Sequence, residues 1–258
     1  MKKSVVALAL FASCCVFAVS AEIPVKSGDA IAFLGDSITQ LGNQAPGGYI
    51  HLVVDGLKAA GVEVKAIGAG ISGHKSDNML ARVEKDVVAK KPQWMTLSCG
   101  VNDVWHGANG VPLENYKANI TALADKVDAA GIKIMILTAT MITEDPAAPN
   151  NQKLAPYNDF LRQLAKERGY LLADLSADMH EGCKQGTRFT YDGVHMAFAG
   201  NKMMASGILR AFGAAEDAIA ASNVRWDDLP GTTRLAVPLS ERQRKALVSR
   251  IVGDPAYA

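Results

Sequence analysis

Short runs of apolar residues alternate along the chain with longer amphipathic stretches, and glycines or prolines separate the two. Short apolar runs bounded by turn residues are typical of strands that are buried on both faces. Five such runs predict five strands, at Ala30–Leu34, Val62–Ile67, Trp94–Ser98, Ile132–Leu137 and Tyr170–Leu175.

The stretches between the strands have the spacing of amphipathic helices. Ile50, Val53, Val54 and Leu57 fall at i, i+3, i+4 and i+7, which places them on one helical face. Similar spacing predicts helices over 79–88, 116–127, 157–164 and 197–212. Strands that alternate with helices favour right-handed crossovers, so we expect an α/β fold whose mainly parallel, five-stranded sheet is covered on both faces.

The first 21 residues have the pattern of a secretory signal peptide. Lys2 and Lys3 precede an apolar run, and Val19-Ser20-Ala21 offers a small-residue cleavage site. We therefore expect an exported protein, secreted or periplasmic. Lipid anchoring at Cys14 is not expected, because Phe11 stands where a lipoprotein signal usually has a branched aliphatic residue.

One α/β domain is predicted over residues 22–213, and residues 214–258 break its alternation of strands and helices. The second part is interpreted as a C-terminal extension, either packed on the core or loosely attached. Within it, Ser240-Glu241-Arg242-Gln243 has the pattern of a capping box that opens a short helix.

The charge balance of the chain is close to neutral. The formal net charge is +1, and removal of Lys2 and Lys3 with the signal peptide takes it to −1. A near-zero charge argues against nucleic acid or an anionic membrane as the main partner. Because the expected mature chain has no second long apolar segment, we expect no stable membrane insertion.

Two cysteines, Cys99 and Cys183, remain after the expected cleavage. An exported protein permits a disulfide between them, but two cysteines are no disulfide framework. A buried thiol at Cys99 is the alternative, and the sequence leaves both open.

Polar residues follow the predicted strands where each strand ends. Ser37 follows the first, Gly68–Gly73 the second and Gly100–Asp103 the third, and Asp192–His195 lies between the fifth strand and the last helix. The carboxyl ends of parallel strands open on one edge of a sheet, where ligands of such folds bind. We therefore expect these four loops to face one another.

These loops contain the residue types that acyl transfer needs. A serine hydroxyl such as Ser37 attacks well only when a base takes its proton, and His195 can do so near neutral pH. Asp192, three residues before His195, can orient the imidazole. A developing oxyanion needs fixed donors, which a backbone N–H at Gly70 and the side-chain amide of Asn102 can supply.

The same residues identify a family resemblance. The chain resembles the SGNH, or GDSL-type, serine hydrolases, whose four marks occur in order over residues 30–212: Gly-Asp-Ser at Ser37, Gly-Ile-Ser-Gly at Gly70, Gly-Val-Asn-Asp at Asn102 and Asp-x-x-His at His195. The resemblance implies a flavodoxin-like three-layer α/β/α sandwich. It also implies a Ser37, His195 and Asp192 triad, with an oxyanion hole made by the Ser37 and Gly70 N–H groups and Asn102.

Other interpretations of these motifs stay open at this point. Ser37 could cap the helix that follows it, and Asp103 is better explained as a structural residue of an Asx-turn. Residues 68–73 fit the dinucleotide fingerprint G-x-G-x-x-G, but no acid ends the third strand to hold a ribose. A metal-dependent hydrolase and a non-catalytic flavodoxin-like binding module are competing functions. We expect no metal and no cofactor.

The substrate is the least determined part of the sequence-based hypothesis. His74, Trp105 and His106 follow the second and third strand loops and are candidates for the wall of the substrate pocket. Export and a near-neutral surface suit an ester on an extracellular polymer, so deacetylation of carbohydrate is the preferred hypothesis. The resemblance also admits lysophospholipids and short-chain acyl esters or thioesters. The oligomeric state is not predicted.

Overall fold

A parallel five-stranded sheet forms the centre of the computed structural model, which describes residues 23–229. The strand order is β2-β1-β3-β4-β5, and every neighbouring pair is parallel. The prediction of five mainly parallel strands is confirmed. Their bounds are β1 (Ala30–Gly35), β2 (Lys65–Gly70), β3 (Trp94–Ser98), β4 (Lys133–Leu137) and β5 (Leu171–Ala173).

Helices cover the sheet and complete the predicted α/β/α sandwich. They are α1 (Ser37–Gln44), α2 (Tyr49–Ala59), α3 (Ser76–Asp86), α4 (Val101–Trp105), α5 (Leu113–Ala129), α6 (Pro149–Arg168), α7 (Leu175–Lys184), α8 (Phe198–Ala211) and α9 (Glu216–Asp227). Helices α2, α8 and α9 pack together in one group, and α3, α5 and α6 pack together in another. Single 3₁₀ turns lie at Val88–Lys90 and Gly107–Asn109.

The central strands are apolar on both faces, which is why their sequences read as continuous runs. In β1 the residues Ile31, Ala32, Phe33 and Leu34 are fully buried. Strand β2 lies on one side of β1, and the chain then crosses over so that β3 lies on the other side of β1. Strand order therefore reverses at β1, and the crevice at the carboxyl ends of β1 and β3 is where such folds bind ligands.

Strands β2 and β5 and several helices differ from the sequence-based prediction. Strand β2 begins at Lys65 rather than at Val62, so Gly70 is its last residue and not a loop residue. Strand β5 ends at Ala173 because the Asp174 side chain accepts a hydrogen bond from Ala177 N and caps α7. Helices α4, α7 and α9 were not predicted, and α1 was expected only in the alternative that made Ser37 a helix cap. Because α7 and a following loop intervene, Asp192–His195 does not follow β5 directly.

Beyond residue 213 the chain continues into α9, which packs on α2 and α8. Trp226 on α9 is fully buried, and its indole N–H donates to Asp55 Oδ2 on α2 at 2.7 Å. Of the two arrangements left open for residues 214–258, packing on the core therefore holds for α9. The predicted signal peptide and the capping box at Ser240 lie outside the described residues.

Cys99 and Cys183 are both free thiols, and burial raises the pKa of each. Within residues 23–229 no helix is long and apolar enough to span a bilayer.

Candidate active site

A continuous hydrogen-bonded relay joins Asp192, His195 and Ser37 at the carboxyl edge of the sheet. Asp192 Oδ2 lies 2.6 Å from His195 Nδ1, and His195 Nε2 lies 2.9 Å from Ser37 Oγ. An ionised carboxylate only accepts hydrogen bonds, so Nδ1 must carry the proton of the neutral imidazole. Nε2 then accepts from the Ser37 hydroxyl, as a general base would.

The loop that carries Asp192 fixes its carboxylate from both sides. Its Oδ1 accepts hydrogen bonds from the backbone N–H groups of Val194 (3.0 Å) and His195 (2.7 Å). Gly193, which lies between Asp192 and Val194, has φ +99°, a conformation that favours glycine. Burial opposes ionisation of Asp192, but the hydrogen bonds from the His195 ring and from the two N–H groups outweigh it. They hold the pKa of Asp192 below its ordinary value.

Ser37 is the first residue of α1, and the residue before it caps that helix. Asp36 Oδ1 accepts a hydrogen bond from Ile38 N at 2.9 Å. The alternative that Ser37 is the helix cap is therefore wrong. Since the first N–H groups of a helix have no partner inside the helix, the Ser37 N–H is placed where an oxyanion donor would be.

Gly70 lies where β2 ends against α1. It pairs with Gly35 of β1, and a β-carbon at Gly70 would lie only 2.3 Å from the backbone nitrogen of Gln40. A side chain at this position would force α1 away from the sheet. The absence of a side chain thus lets the Gly70 backbone come close to the turn that carries Ser37.

Asn102, on α4 after β3, is buried and directed towards the same turn. Its Nδ2 donates to Asp36 Oδ2 and to the carbonyl oxygen of His74, each at 3.2 Å. Burial raises the pKa of Asp36 to about 6, although the Ile38 N–H and the charge of His195 both favour its ionised form. Asp36 thus couples the start of α1 to the Asn102 amide.

Asp103 has the contacts of a structural residue, as the sequence indicated, but its main partner is Ser76 on α3 rather than the nearby backbone of an Asx-turn. Its Oδ1 accepts from Ser76 N (3.0 Å) and Ser76 Oγ (2.6 Å), and Oδ2 accepts from the Cys99 thiol at 3.5 Å. Burial raises the pKa of Asp103 despite these bonds. Asp103 therefore ties the start of α3 to α4 and holds the helix that presents Asn102.

With this geometry established, the comparisons with known proteins assign the family. The model of the GDSL-like Lipase/Acylhydrolase family matches residues 33–203. The chain belongs to this family. It is a serine carboxylic-ester hydrolase. An acetylxylan esterase of Geobacillus stearothermophilus is 30% identical over 210 residues, which cover 73% of this chain and 96% of the relative.

Solved structures agree with the fold of this GDSL hydrolase. The crystal structure of Axe2, an acetylxylan esterase from Geobacillus stearothermophilus, superposes with a TM-score of 0.68 at 29% identity and covers 74% of this chain and 97% of its own. The acetyl xylan esterase AlAXEase superposes with a TM-score of 0.66 at 32% identity, covering 70% and 98%.

Two aromatic rings flank the His195 imidazole of the hydrolase. Trp105, one of the predicted pocket residues, is 42% exposed and lies edge-on to the imidazole at 6.4 Å between ring centroids. Tyr191, which the sequence analysis did not select, is 65% exposed and stacks on the imidazole at 5.9 Å with the rings 19° apart. His195 therefore has two exposed aromatic side chains beside its imidazole.

The two histidines predicted to line the pocket lie in different settings. His74 Nδ1 accepts from Arg82 Nε at 3.0 Å, and burial together with the Arg82 charge lowers the pKa of His74. Through its carbonyl oxygen His74 also contacts Asn102. His106 is exposed just after α4, and among the described contacts its side chain has none with the Ser37–His195–Asp192 relay.

Arg82 and Glu144, which were not predicted from the sequence, hydrogen-bond to the backbone segments that carry the site residues. Arg82 Nη1 donates to the carbonyl of Ala69 (2.9 Å) and Nη2 to that of Gly35 (2.8 Å), so it ties together the ends of β1 and β2. Glu144 Oε1 accepts from Phe189 N, Thr190 N and Thr190 Oγ1. It thereby anchors the loop that leads into Asp192. Both residues contact partners far away in sequence, and no local motif marks them.

Proposed function

We propose that the protein removes acetyl groups from carbohydrate by a serine acyl-enzyme mechanism in which Ser37 is the nucleophile, His195 the base and Asp192 the orienting acid. The observation that carries this proposal is the relay of 2.6 Å and 2.9 Å hydrogen bonds through His195. Ser37 Oγ bonds to the ester carbonyl carbon while His195 Nε2 takes its proton. The imidazolium then protonates the departing alcohol oxygen.

The second half of the reaction uses the same groups. Water replaces the alcohol, His195 takes a proton from it, and its oxygen attacks the acyl-enzyme carbonyl carbon. Collapse of the tetrahedral intermediate breaks the bond to Ser37 Oγ, which takes the proton back from His195 Nε2, and acetate is released. In both halves the Ser37 and Gly70 N–H groups and the Asn102 amide would stabilise the oxyanion.

Carbohydrate acetate is favoured as the substrate because of the relatives and the aromatic setting of the base. The relatives that match over nearly their whole length include acetylxylan esterases. Trp105 and Tyr191 present exposed ring surface next to His195, which suits the faces of a sugar ring. Export through the segment 1–21 would place the enzyme where such polymers occur. N-terminal sequencing of the protein from the extracellular and periplasmic fractions tests that export.

A chain-length series of esters tests the proposed substrate class. Hydrolysis of 4-nitrophenyl acetate, butyrate, octanoate and decanoate is compared with acetate release from acetylated xylo-oligosaccharides. A sharp preference for acetate together with release from the oligosaccharide supports the proposal. A preference for acyl chains of eight carbons or more overturns it and favours a lysophospholipid substrate.

A further inference from the structure

A groove opens beside the catalytic relay on the side of Tyr191. It has a volume of about 370 Å³ and is lined mainly by Leu41, Gln44, Pro46, Tyr191, Met196 and Phe198. That volume falls within the range of about 300–1,000 Å³ that is usual for small-molecule sites. Tyr191 belongs both to this groove and to the ring stack on His195, so the groove is continuous with the active site.

The position of the groove indicates which half of the substrate would reach it. The departing alcohol oxygen must lie within hydrogen-bonding distance of His195 Nε2 to receive the proton. The carbonyl oxygen instead points to the donors at Gly70 and Asn102. An acetyl group ends in a single methyl and has no atoms to fill a groove of this size. The groove beside His195 is therefore on the alcohol side of the ester.

The chemistry of the lining favours an uncharged ring. None of the described residues that line the groove is charged. Lys202 lies next to the groove, with its Nζ 5.6 Å from the Phe198 ring centroid, but it is paired with Asp227 at 2.7 Å. A glycerophosphate alcohol would find no counter-charge here. A sugar ring, with apolar faces and hydroxyls at its edge, matches exposed aromatic surface next to the Gln44 amide.

We propose that this Tyr191 groove is a subsite for a sugar unit that neighbours the acetylated one. This inference rests on the proposed carbohydrate deacetylation. It adds a location for the part of the oligosaccharide that neighbours the acetylated sugar. Tyr191 would supply a stacking surface, and Leu41, on α1 four residues after Ser37, would form the opposite wall.

The test compares a substrate that fills the groove with one that does not reach it. We measure kcat/KM for acetylated xylotetraose and for ethyl acetate, and use their ratio as the readout. Leu41→Arg places a charged side chain in the groove, and Tyr191→Ala removes the stacking surface. Each is expected to lower the ratio about tenfold, which corresponds to about 1.4 kcal/mol, mainly through KM for the oligosaccharide. Tyr191→Phe keeps the aromatic ring and should retain most of the wild-type ratio.

Val224→Arg is the matched control, because Val224 is an exposed apolar residue on α9 outside the groove. It should leave the ratio unchanged. If the wild type hydrolyses both substrates and neither Leu41→Arg nor Tyr191→Ala changes the ratio, the subsite is overturned while the proposed function stands. If the wild type hydrolyses ethyl acetate and leaves acetylated xylotetraose intact, carbohydrate deacetylation fails, and the subsite fails with it.

Discussion

Asn102 Nδ2 and Asp36 Oδ2 are joined by a buried hydrogen bond of 3.2 Å that links α4 to the start of α1. The same carboxylate caps α1 through its other oxygen, which accepts from Ile38 N. One side chain thus positions the helix that begins with Ser37 and the amide proposed to stabilise the oxyanion. We therefore expect Asp36 to set the relative placement of the proposed nucleophile and the proposed oxyanion donor.

Replacement of Asp36 by asparagine should lower kcat. An asparagine has one acceptor oxygen, so it can cap α1 or accept from Asn102, but not both. Removal of an oxyanion donor costs about 10²–10³ in kcat, and a displaced donor should cost less, so we expect a loss of about 10–100-fold. Steady-state kinetics on 4-nitrophenyl acetate measure it.

A double-mutant cycle separates positioning from a general loss of structure. If Asp36 acts through Asn102, the double variant Asp36→Asn, Asn102→Ala should be hardly slower than Asn102→Ala alone. Losses that multiply would show that Asp36 acts independently of the amide.

The buried Asp36 carboxyl should also make stability depend on pH. Burial raises its pKa from the ordinary 3.8 to about 6. Because the folded-state pKa is the higher one, the stabilising contribution is complete below pH 3.8 and is lost as pH rises through 6. Relative to Asp36→Asn, the wild type should lose about 3 kcal/mol in free energy of unfolding between pH 4 and pH 7. Urea denaturation across this range measures the difference, and a flat difference would contradict the assignment.

Ser37→Ala should abolish turnover and leave the fold intact. The serine hydroxyl is the only atom removed, while Asp36 still caps α1. We expect kcat to fall by about 10³-fold or more, with an unchanged circular dichroism spectrum. Ser72→Ala is the control: Ser72 is an exposed serine near the site whose hydroxyl contacts Gln40, and its removal should change kcat less than about threefold. Ester hydrolysis retained in Ser37→Ala would refute the proposed nucleophile.

Asp192→Asn should inactivate the enzyme by fixing the wrong histidine tautomer. The asparagine Oδ1 can still accept from Val194 N and His195 N, so the loop should keep its shape. Its NH₂ would donate to His195 Nδ1, which moves the imidazole proton to Nε2 and leaves Ser37 without an acceptor. We expect kcat to fall about 10³–10⁴-fold with little change in melting temperature. A loss below tenfold would mean that Asp192 does not orient the base.

The sequence was sufficient to predict the parallel sheet and the polar residues that lie near the ends of its strands. Strands buried on both faces read as apolar runs, and parallel topology then brings their carboxyl ends to one edge. Helix α7 was missed because it follows directly on β5, and the apolar Leu175 reads as part of the strand. The start of β2 is set by its pairing with β1, in which Lys65 is the first residue of β2 and lies opposite Ala30. The local sequence pattern from Val62 onwards does not show this limit.

The supporting contacts depend on tertiary structure and could not be predicted from local pattern. Arg82 is joined to Gly35 across 47 positions, and Glu144 to Thr190 across 46. Each is an ordinary charged residue in its own segment. A weak signal existed for Tyr191, an aromatic residue directly before Asp192 in a strand-edge loop.

Glu144→Ala should loosen the loop that carries Asp192 and His195. Glu144 Oε1 is the acceptor for Phe189 N (2.8 Å), Thr190 N (2.6 Å) and Thr190 Oγ1 (2.6 Å). Loss of that acceptor should lower the free energy of unfolding by about 1–3 kcal/mol and, through a less well placed His195, lower kcat about tenfold. Thermal denaturation and steady-state kinetics give the two readouts.

Glu144→Gln distinguishes the loss of geometry from the loss of charge. All three hydrogen bonds go to Oε1, and glutamine keeps that oxygen, so this variant should retain most of kcat and of the melting temperature. Glu181→Ala removes an exposed carboxylate whose side-chain contacts are with its helix neighbours Lys184 and Gln185, and it should change neither. If Glu144→Gln is as impaired as Glu144→Ala, the charge of Glu144 rather than its anchoring of the loop supports the site.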